Sequence, residues 1–485
     1  MDLDDGRVDR ATFKDYGETL VGGASGTSTG ASYTIDLTQG NVFNLTLSDN
    51  CAFSFANPTG SGALCSFTLI LKQGGSFTPT WPTAVVWPSA VAPTLGDGIN
   101  AIYIFSFFTV NGGAKWFGSV GSDAFDVTIG KLWGWGGGNS PLTVGVLGQN
   151  NVIERSSPTQ VGTLTNWSSV STGTNFALAV KTSGTLWAWG AGGNGQLGTN
   201  TGGYRSSPVQ VGTLTNWTSV TAGYNHSFAV KNDNTLWVWG FNNAGHLGTN
   251  TVASHSSPTQ VGTLTDWSSI GAGNGGSLAI KTDGTLWTWG DNGGGTLGHN
   301  NAITLDRSSP AQVGTLTNWS SVSAGSSHNA AIKTDGTLWT WGEGSLGRLG
   351  VNLTTNHSSP TQVGTLTNWA QVSPAWFHNA AVKTDGTLWV WGNYSNGRLG
   401  LGDGVHRSSP TQVGTLTNWA SVSTGGSHTA AVKTDGTLWA WGLNSKGQTG
   451  HNSIINHSSP VQVGTLTNWA SVAAGDLVIL GTTLN

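Results

Sequence analysis

Charged side chains are scarce in this chain of 485 residues, where 19 Lys and Arg and 23 Asp and Glu leave a net charge of −4. The basic residues are dispersed, without a run or a stripe, which argues against nucleic acid as the main partner. No apolar stretch approaches the roughly 18 to 20 residues of a membrane-spanning helix. The N-terminus, MDLDDGRVDR, is acidic and polar, unlike a secretory signal. We therefore expect neither membrane insertion nor signal-dependent secretion.

Cysteine is equally rare, with two residues in the whole chain. Cys51 and Cys65 stand in the alternating segments CAFSF and CSFTLIL, where a period of two places both on core faces. Two buried free thiols are the favoured interpretation, and a Cys51–Cys65 disulfide stays open. Because no CxxC or Cys/His spacing occurs, we expect no metal and no cofactor.

Glycine and tryptophan are abundant instead, and the 25 Trp residues reveal a repeat. The motif Leu-Trp-x-Trp-Gly occurs seven times, with its first Trp at Trp133, Trp187, Trp237, Trp287, Trp339, Trp389 and Trp439. The motif VGTLTNW (once VGTLTDW) also occurs seven times, ending at Trp167, Trp217, Trp267, Trp319, Trp369, Trp419 and Trp469. A period near 50 residues is typical of solenoids and propellers.

Each repeat predicts four short strands, as in WASVS, HTAAVK, TLWAWG and PVQVG at the end of the chain. Asp-Gly between two alternating runs is a strong hairpin signal. In TLWAWG both strand faces are apolar, which is typical of a sheet packed between two neighbours. The first repeat begins at IGKLWGWG, and the last repeat stops after its first half. Pairing the two ends in one sheet would close a ring. The sequence thus predicts an all-β chain with a closed seven-bladed β-propeller over residues 126–485.

The segment GSHTAAVKTDGTLWAWG at 426–442 and the GRLG segments at 347–350 and 397–400 resemble the regulator-of-chromosome-condensation type of propeller. The resemblance covers about residues 126–485. It implies the propeller fold, whereas members of that family include nucleotide exchange factors, a light sensor and protein inhibitors. Function must therefore be argued from the site.

Variation among the repeats points to one face of the propeller. The second turn (TDG) and the link between blades (VGTLTNW) are nearly constant, whereas the first and third turns vary in sequence and length. In an antiparallel blade the first and third turns lie on one face, so that face is the predicted binding surface. Its candidate ligand-binding residues are Trp376, Phe377, Tyr204, Tyr224, Phe241, Asn242, His246, Tyr394 and Arg398. Exposed aromatic side chains of this kind suit sugar rings or protein hot spots.

Catalytic and metal chemistry have little support. His226, His328, His378 and His428 share one repeat position, but Phe176 and Gly276 occupy it elsewhere, which favours a structural hydrogen-bonding role. The recurring Asp of Thr-Asp-Gly is a turn residue. No pair of carboxylates stands out as an acid/base couple. We expect a protein that is not an enzyme.

Residues 1–125 form a separate predicted domain, β-sandwich-like, from alternating runs such as VFNLTL, CSFTLILK and AIYIFSFFTV. Its segments FKDYGET (13–19), FTLILKQGG (67–75), APTL (92–95) and NGGAKWFG (111–118) and two Trp-Pro pairs resemble a module of tailed-bacteriophage structural proteins. The resemblance implies a virion component, in which residues 1–12 could be a docking arm.

Together the two halves predict a virion protein that attaches through residues 1–125 and displays the propeller. The favoured function is a tail fibre or receptor-binding protein for a host surface glycan or protein, released by lysis. A head fibre or capsid decoration protein is one alternative, and a cellular propeller that binds or inhibits a protein is another. A polysaccharide-degrading enzyme ranks third. Phage fibres are often trimers, so a homo-oligomer is possible, although the sequence contains no trimerising motif.

Overall fold

The chain divides into two compact units, residues 1–128 and 129–485. The computed structural model describes residues 20–21, 27–39, 42–58, 65–73, 77–86, 102–109, 116–120, 129–137, 145–300 and 305–484. The docking arm predicted at 1–12 and the segments FKDYGET and APTL lie outside these ranges. Within them, no helix is long and apolar enough to cross a membrane.

The described residues of the first unit form two sheets. The larger sheet is mixed: its central pair, 42–47 and 65–73, is parallel, whereas 65–73 and 102–109 are antiparallel. The strands of this sheet are Leu20–Val21, Thr27–Ser28, Val42–Leu47, Cys65–Gln73, Val85–Val86, Ile102–Thr109 and Trp116–Val120. The three strands of the smaller sheet are Ser32–Asp36, Cys51–Ala56 and Pro79–Thr80, all parallel.

Aromatic side chains from both sheets share one core in this unit. The ring of Phe55 in the smaller sheet packs edge-on against Phe67 and Phe107 of the larger sheet, with centroids 4.9 and 5.0 Å apart. Such tilted contacts add to the stabilisation from burial alone. Cys51 is a buried free thiol in this core, and burial raises its pKa. The alternation of the sequence therefore predicted correctly that Cys51 faces the core.

The part of the second unit that the structure describes forms seven four-stranded sheets, which we call blades 1 to 7 in the order of their first strands. The first strands are Trp167–Thr172, Trp217–Ala222, Trp267–Ala272, Trp319–Ala324, Trp369–Pro374, Trp419–Thr424 and Trp469–Ala474. The second strands are Phe176–Lys181, His226–Lys231, Gly276–Lys281, His328–Lys333, His378–Lys383, His428–Lys433 and Val478–Leu484. Each first strand pairs with the second strand in antiparallel fashion.

The third and fourth strands complete each blade outward. The third strands, from blade 1 to blade 7, are Leu186–Gly190, Leu236–Gly240, Leu286–Gly290, Leu338–Gly342, Leu388–Gly392, Leu438–Gly442 and Ile129–Gly136. The fourth strands are Arg205–Gln210, His255–Gln260, Arg307–Gln312, His357–Gln362, Arg407–Gln412, His457–Gln462 and Arg155–Gln160. Short 3₁₀ turns at Gly293–Gly295, Ser345–Gly347 and Ser395–Gly397 lie in the third turns of blades 3, 4 and 5.

Blade 7 joins the two ends of the unit. Strand 129–136 pairs antiparallel with strand 478–484, so the first half of this blade comes from the C-terminus and the second half from residue 129 onward. The first strands of neighbouring blades contact one another around the whole cycle, including blade 7 with blade 1. The innermost strands therefore surround a central axis.

Each blade is joined to the next by the second Trp of the Leu-Trp-x-Trp-Gly motif. In all seven blades this indole N–H donates to a backbone carbonyl in the third turn of the preceding blade, at 2.8 to 3.0 Å. These indoles are fully buried. A buried indole N–H must find an acceptor, and here the acceptor fixes the position of the neighbouring loop.

Candidate functional site

One cavity of about 130 Å³ lies on the propeller axis, on the side of the first turns. Three consecutive residues from each of the seven blades line it, taken from the end of the first strand and the turn that follows. We call this cavity the axial pocket. The face formed by the first and third turns is called the variable face, and the face formed by the second turns and the links is called the constant face.

The third residue of each lining triplet is different in every blade. From blade 1 to blade 7 these residues are Thr174, Tyr224, Asn274, Ser326, Trp376, Gly426 and Asp476. By contrast, the residue before them is Gly in six blades and Ala375 in blade 5. The repeat therefore keeps the backbone of these turns and changes only the side chains that reach the pocket.

The glycines of the first turns are required by close packing between blades. A Cβ on Gly273 would overlap the carbonyl oxygen of Gly325, and a Cβ on Gly425 would overlap that of Gly475. Backbone hydrogen bonds run between the same turns, from Ser326 N–H to Ala375 O at 3.1 Å and from Gly426 N–H to Gly475 O at 3.0 Å. The wall of the axial pocket is therefore a backbone ring with little freedom to move.

Trp376 and Tyr224 meet in this pocket although they belong to blades 5 and 2. Their ring centroids lie 6.2 Å apart with an interplanar angle of 38°. Both side chains are half-buried. Blades 2 and 5 lie across the axis from one another, so the two rings meet across the axial pocket. Two of the sequence-predicted site residues are thus brought together in one place.

Asp476 lines the same pocket, and sequence reasoning missed it. Its turn reads GDLV (475–478) where blade 6 reads GGSH (425–428), so the C-terminal blade did not display the repeat signature there. The carboxylate accepts no hydrogen bond from any of the residues that the structure describes, and burial raises its pKa. A Cβ on Gly426 would overlap Oδ1 of Asp476, so the absence of a side chain at 426 makes room for the carboxylate.

Phe377 packs between two buried arginines. The guanidinium carbons of Arg348 and Arg398 lie 5.1 and 5.7 Å from its ring centroid. Arg348 donates to the carbonyl of Trp376 at 3.0 Å and forms an ion pair with Glu343 at 3.2 Å. Sequence reasoning did not predict Arg348 as a site residue, although the GRLG motif occurs at both 347–350 and 397–400. Both arginines support the turns of the next blade, and Phe377 anchors Trp376.

Arg398 was expected on the binding surface, but it is 4% exposed. Its Nε donates to Ser395 O at 2.8 Å, and burial lowers its pKa to about 10. In contrast to Arg348, Arg398 forms no ion pair with a carboxylate among the described residues. The Arg398 guanidinium therefore holds the third turn of blade 5 in place and is not exposed for direct contact with a partner.

Asn242 and His246 are also buried, at 0 and 5% exposure. Asn242 donates to Thr251 O and Ala253 O and accepts from Leu247 N–H, so it organises the third turn of blade 2. His246 packs against the half-buried ring of Phe241, with centroids 6.1 Å apart. Polar residue type pointed to the surface, whereas the Asn242 side chain satisfies the backbone of its own loop.

Two of the predicted residues are exposed and lie outside the axial pocket. Tyr204 is 51% exposed and Tyr394 is 37% exposed, each in the third turn of its blade. The ring of Tyr394 contacts His406 edge-on, with centroids 4.8 Å apart. They belong to the outer part of the variable face.

The four histidines of the shared repeat position are fully buried between blades. Nε2 of His328 lies 2.8 Å from Asn379 Oδ1, and Nε2 of His378 lies 2.9 Å from Thr429 Oγ1, in each case one blade further on. Burial lowers the pKa of His328 to about 3, so the ring is neutral. Within the described ranges, no three His, Cys, Asp or Glu side chains converge as metal ligands would.

A second cavity on the variable face, of about 300 Å³, lies between blades 3 and 4. Asp291 and Glu343 both line it. Each carboxylate holds its own loop: Asp291 accepts from Gly293 N–H at 2.6 Å, and Glu343 binds Arg348 and Ser345.

Comparison with known proteins shows which family models match the repeats. A model of the RCC1-like domain matches residues 121–366, and models of the regulator of chromosome condensation (RCC1) repeat match 385–432 and 435–478. No curated protein sequence matches the chain. Among solved structures, Prp20p from Saccharomyces cerevisiae has a TM-score of 0.65 at 20% identity, over 74% of this chain and 92% of that one.

Human WBSCR16 has a TM-score of 0.64 at 21% identity, over 73% of this chain and 98% of that one. At these identities the likeness concerns the fold, and it confirms the predicted propeller of this type. Because the RCC1-like domain model covers half of the chain and repeat models continue beyond it, the chain belongs to the family of proteins with an RCC1-like domain.

Proposed function

We propose that the protein is a non-catalytic binding module, in which a closed seven-bladed propeller captures a partner on its variable face. The observation that carries this proposal is the convergence of seven different residues on the axial pocket within an otherwise repeated framework. A rigid scaffold that varies only in its loops is the usual form of a binding surface. The half-buried Trp376 and Tyr224 supply the aromatic anchor that interface centres favour.

A protein is the favoured class of partner. Seven apolar side chains on the third turns of the variable face are at least 49% exposed: Ile153, Val252, Leu305, Leu353, Val405, Ile454 and Ile455. Together with the aromatic pair of the axial pocket, these apolar groups suit the surface of a protein. The structural relative Prp20p binds Gsp1p and histones, and in another structure it is bound to Kap60. Those partners belong to that protein, and they support only the class.

A second candidate follows from residues 1–125, whose segments resemble a bacteriophage structural module. In this proposal the first unit attaches to a virion, and the propeller contacts a host surface glycan or protein as a tail fibre does. A head fibre or capsid decoration protein is the related alternative. Release by lysis and a homotrimer would accompany the tail-fibre role. Aromatic rings such as Trp376 and Tyr394 suit sugar faces as well as protein surfaces.

The test is saturable binding of the labelled full chain to a panel of intact bacteria, before and after protease treatment, and to their extracted glycans. We expect Trp376→Ala to weaken binding at least tenfold, because truncating a central aromatic anchor costs on the order of 2 kcal/mol or more. Trp376→Ala alone is preferable to a double variant with Phe377, since Phe377 packs between two buried arginines.

The matched control is Leu366→Ala, a 44% exposed leucine of the link on the constant face. Its binding should equal that of the unmodified chain. Loss of binding with Leu366→Ala and not with Trp376→Ala would contradict the assignment of the face. Loss of binding after protease treatment indicates a protein partner, whereas binding to extracted glycans favours the host-adhesion proposal. Immunogold labelling of phage particles from the same source tests the virion role, which unlabelled particles would contradict.

A further inference from the structure

The axial pocket carries one negative charge and no positive one. Asp476 is the only carboxylate among the described residues that line it, and none of them is Lys, Arg or His. The carboxylate also has no hydrogen-bond donor within the described part of the protein. Placing a half-buried carboxylate without a partner costs free energy, which a cation from another molecule would offset.

Two aromatic rings share the pocket with this carboxylate. The ring centroids of Trp376 and Tyr224 lie 6.2 Å apart, and both side chains are half-buried. The faces of Trp and Tyr attract ammonium groups, and the attraction grows where water is excluded. A carboxylate that lines the same pocket as such rings suits an ammonium group better than a neutral or an anionic one.

The dimensions of the axial pocket limit the size of its ligand. Gly426 leaves the space that Asp476 occupies. The volume of about 130 Å³ has room for the end of one side chain. Both the charges and the dimensions therefore favour a small cation.

On the basis of the proposed function, we infer that the axial pocket binds an alkylammonium group, and that its source is a lysine side chain of the partner protein. Asp476 forms the ion pair, and Trp376 and Tyr224 contact the ammonium and its adjoining methylene groups. The rest of the variable face then contacts the partner around this lysine.

Saturation-transfer difference NMR on the full chain tests this inference, because it reports which protons of a weak ligand contact the protein. The probe is the peptide Gly-Gly-Lys-Gly-Gly with both ends capped, so that lysine carries its only charge. We expect the strongest saturation on the methylene protons beside the ammonium. The peptide with ε-acetyl-lysine should bind at least fivefold more weakly, and equal binding of the two would overturn the inference.

Asp476→Asn keeps the shape of the side chain and removes its charge, so we expect at least fivefold weaker binding of the lysine peptide. Glu154→Gln is a matched change on the variable face outside the pocket, since it also removes a carboxylate charge, and it should leave binding of the lysine peptide unchanged. An undiminished signal in Asp476→Asn would contradict the inference.

Two further ligands test the inference without any substitution. Trimethyl-lysine in the same peptide should bind, whereas its neutral carbon isostere with a tert-butyl group should not, and equal binding of these two would exclude recognition of charge. Methylammonium chloride tests a free amine as the source, and binding as tight as that of the peptide would overturn the assignment to lysine. If the partner binds Asp476→Asn as before but fails to bind Trp376→Ala, the inference fails while the proposed function stands.

Discussion

On the constant face, the second turns of blades 1 to 6 touch both the link that precedes them and the link that follows them in the chain. Backbone N–H of Trp419 donates to Gly386 O at 3.0 Å, and Thr384 N–H donates to Asn368 O at 2.9 Å. On the variable face, by contrast, the backbones of the first turns touch each other while their third residues project into the axial pocket. The two faces therefore differ in which atoms form the contacts between segments.

Side chains on the constant face are committed to one network. Asp435 Oδ1 accepts from Thr437 N–H and Oγ1–H at 2.9 and 2.6 Å, and Thr437 Oγ1 accepts from the indole N–H of Trp439 at 2.9 Å. The Nζ of Lys433 lies 3.9 and 4.9 Å from the ring centroids of Trp439 and Trp419. Equivalent contacts recur in other blades. The uniform sequence of this face is thus a packing requirement, whereas the first turns of the variable face leave one side chain per blade free to differ.

As the pH falls, the contacts of the four buried histidines between blades should weaken before the hydrogen bonds of the constant face do. Burial lowers the pKa of His226 and His328 to about 3 and of His428 to about 4, and that of His378 well below its usual value. In the unfolded chain these groups bind protons below about pH 6.5, so the folded state loses stability as the pH falls from there. Each histidine removes up to about 1.4 kcal/mol per pH unit, and four remove up to about 5 kcal/mol between pH 6 and pH 5.

Urea unfolding followed from pH 7 to pH 5 measures this loss. His428→Phe copies blade 1, where Phe176 fills the same position, and should reduce the pH dependence by about a quarter. Hydrogen bonds from Thr437 lower the pKa of Asp435, so the constant face loses its stabilisation only as the pH falls below about 4. A stability that stays flat between pH 7 and pH 5 would contradict burial of neutral histidines.

The next largest effect concerns two glycines of the constant face that share a positive φ. Gly386 has φ +74° and a Cβ there would overlap Thr417 O, whereas Gly414 has φ +59° and nothing within 4 Å of the same position. Gly414→Ala should cost about 1 kcal/mol, from backbone strain alone. Gly386→Ala should cost about 2 to 4 kcal/mol, because the carbonyl contact must also give way.

The difference between the two urea midpoints isolates the contact between the second turn and the link. Equal midpoints for Gly386→Ala and Gly414→Ala would show that the contact between the second turn and the link does not explain the uniform sequence of the constant face. Binding by the variable face should be the same in both variants under conditions where they are folded.

Sequence repetition predicted the blades because both Trp motifs recur at nearly constant spacing, and it also gave the turn position that holds Tyr224 and Trp376. Asp476 was out of reach because blade 7 departs from the motif in that turn. Asn242 was misjudged as a surface residue, although Asn292 and Asn444 stand at the same position and also accept backbone hydrogen bonds. In the first unit, alternation predicted strands, but alternation carries no information on direction, so the parallel pairing of 42–47 with 65–73 was not predictable.

The smallest effect compares two lysines, one near each face. Lys433 is 7% exposed and lies over two indoles, whereas Lys446 forms an ion pair with Glu154 at 2.8 Å and its side chain is 43% exposed. Lys433→Met should cost about 1 kcal/mol, since a desolvated ammonium over aromatic rings is lost while the methylene packing is kept. Lys446→Met should cost less than about 0.5 kcal/mol, because exposed ion pairs contribute little. Urea midpoints at low and high salt separate the two, since salt should reduce only the Lys446 effect. A larger cost for Lys446→Met would mean that ion pairs, and not the buried lysine–indole contacts, hold the blades together.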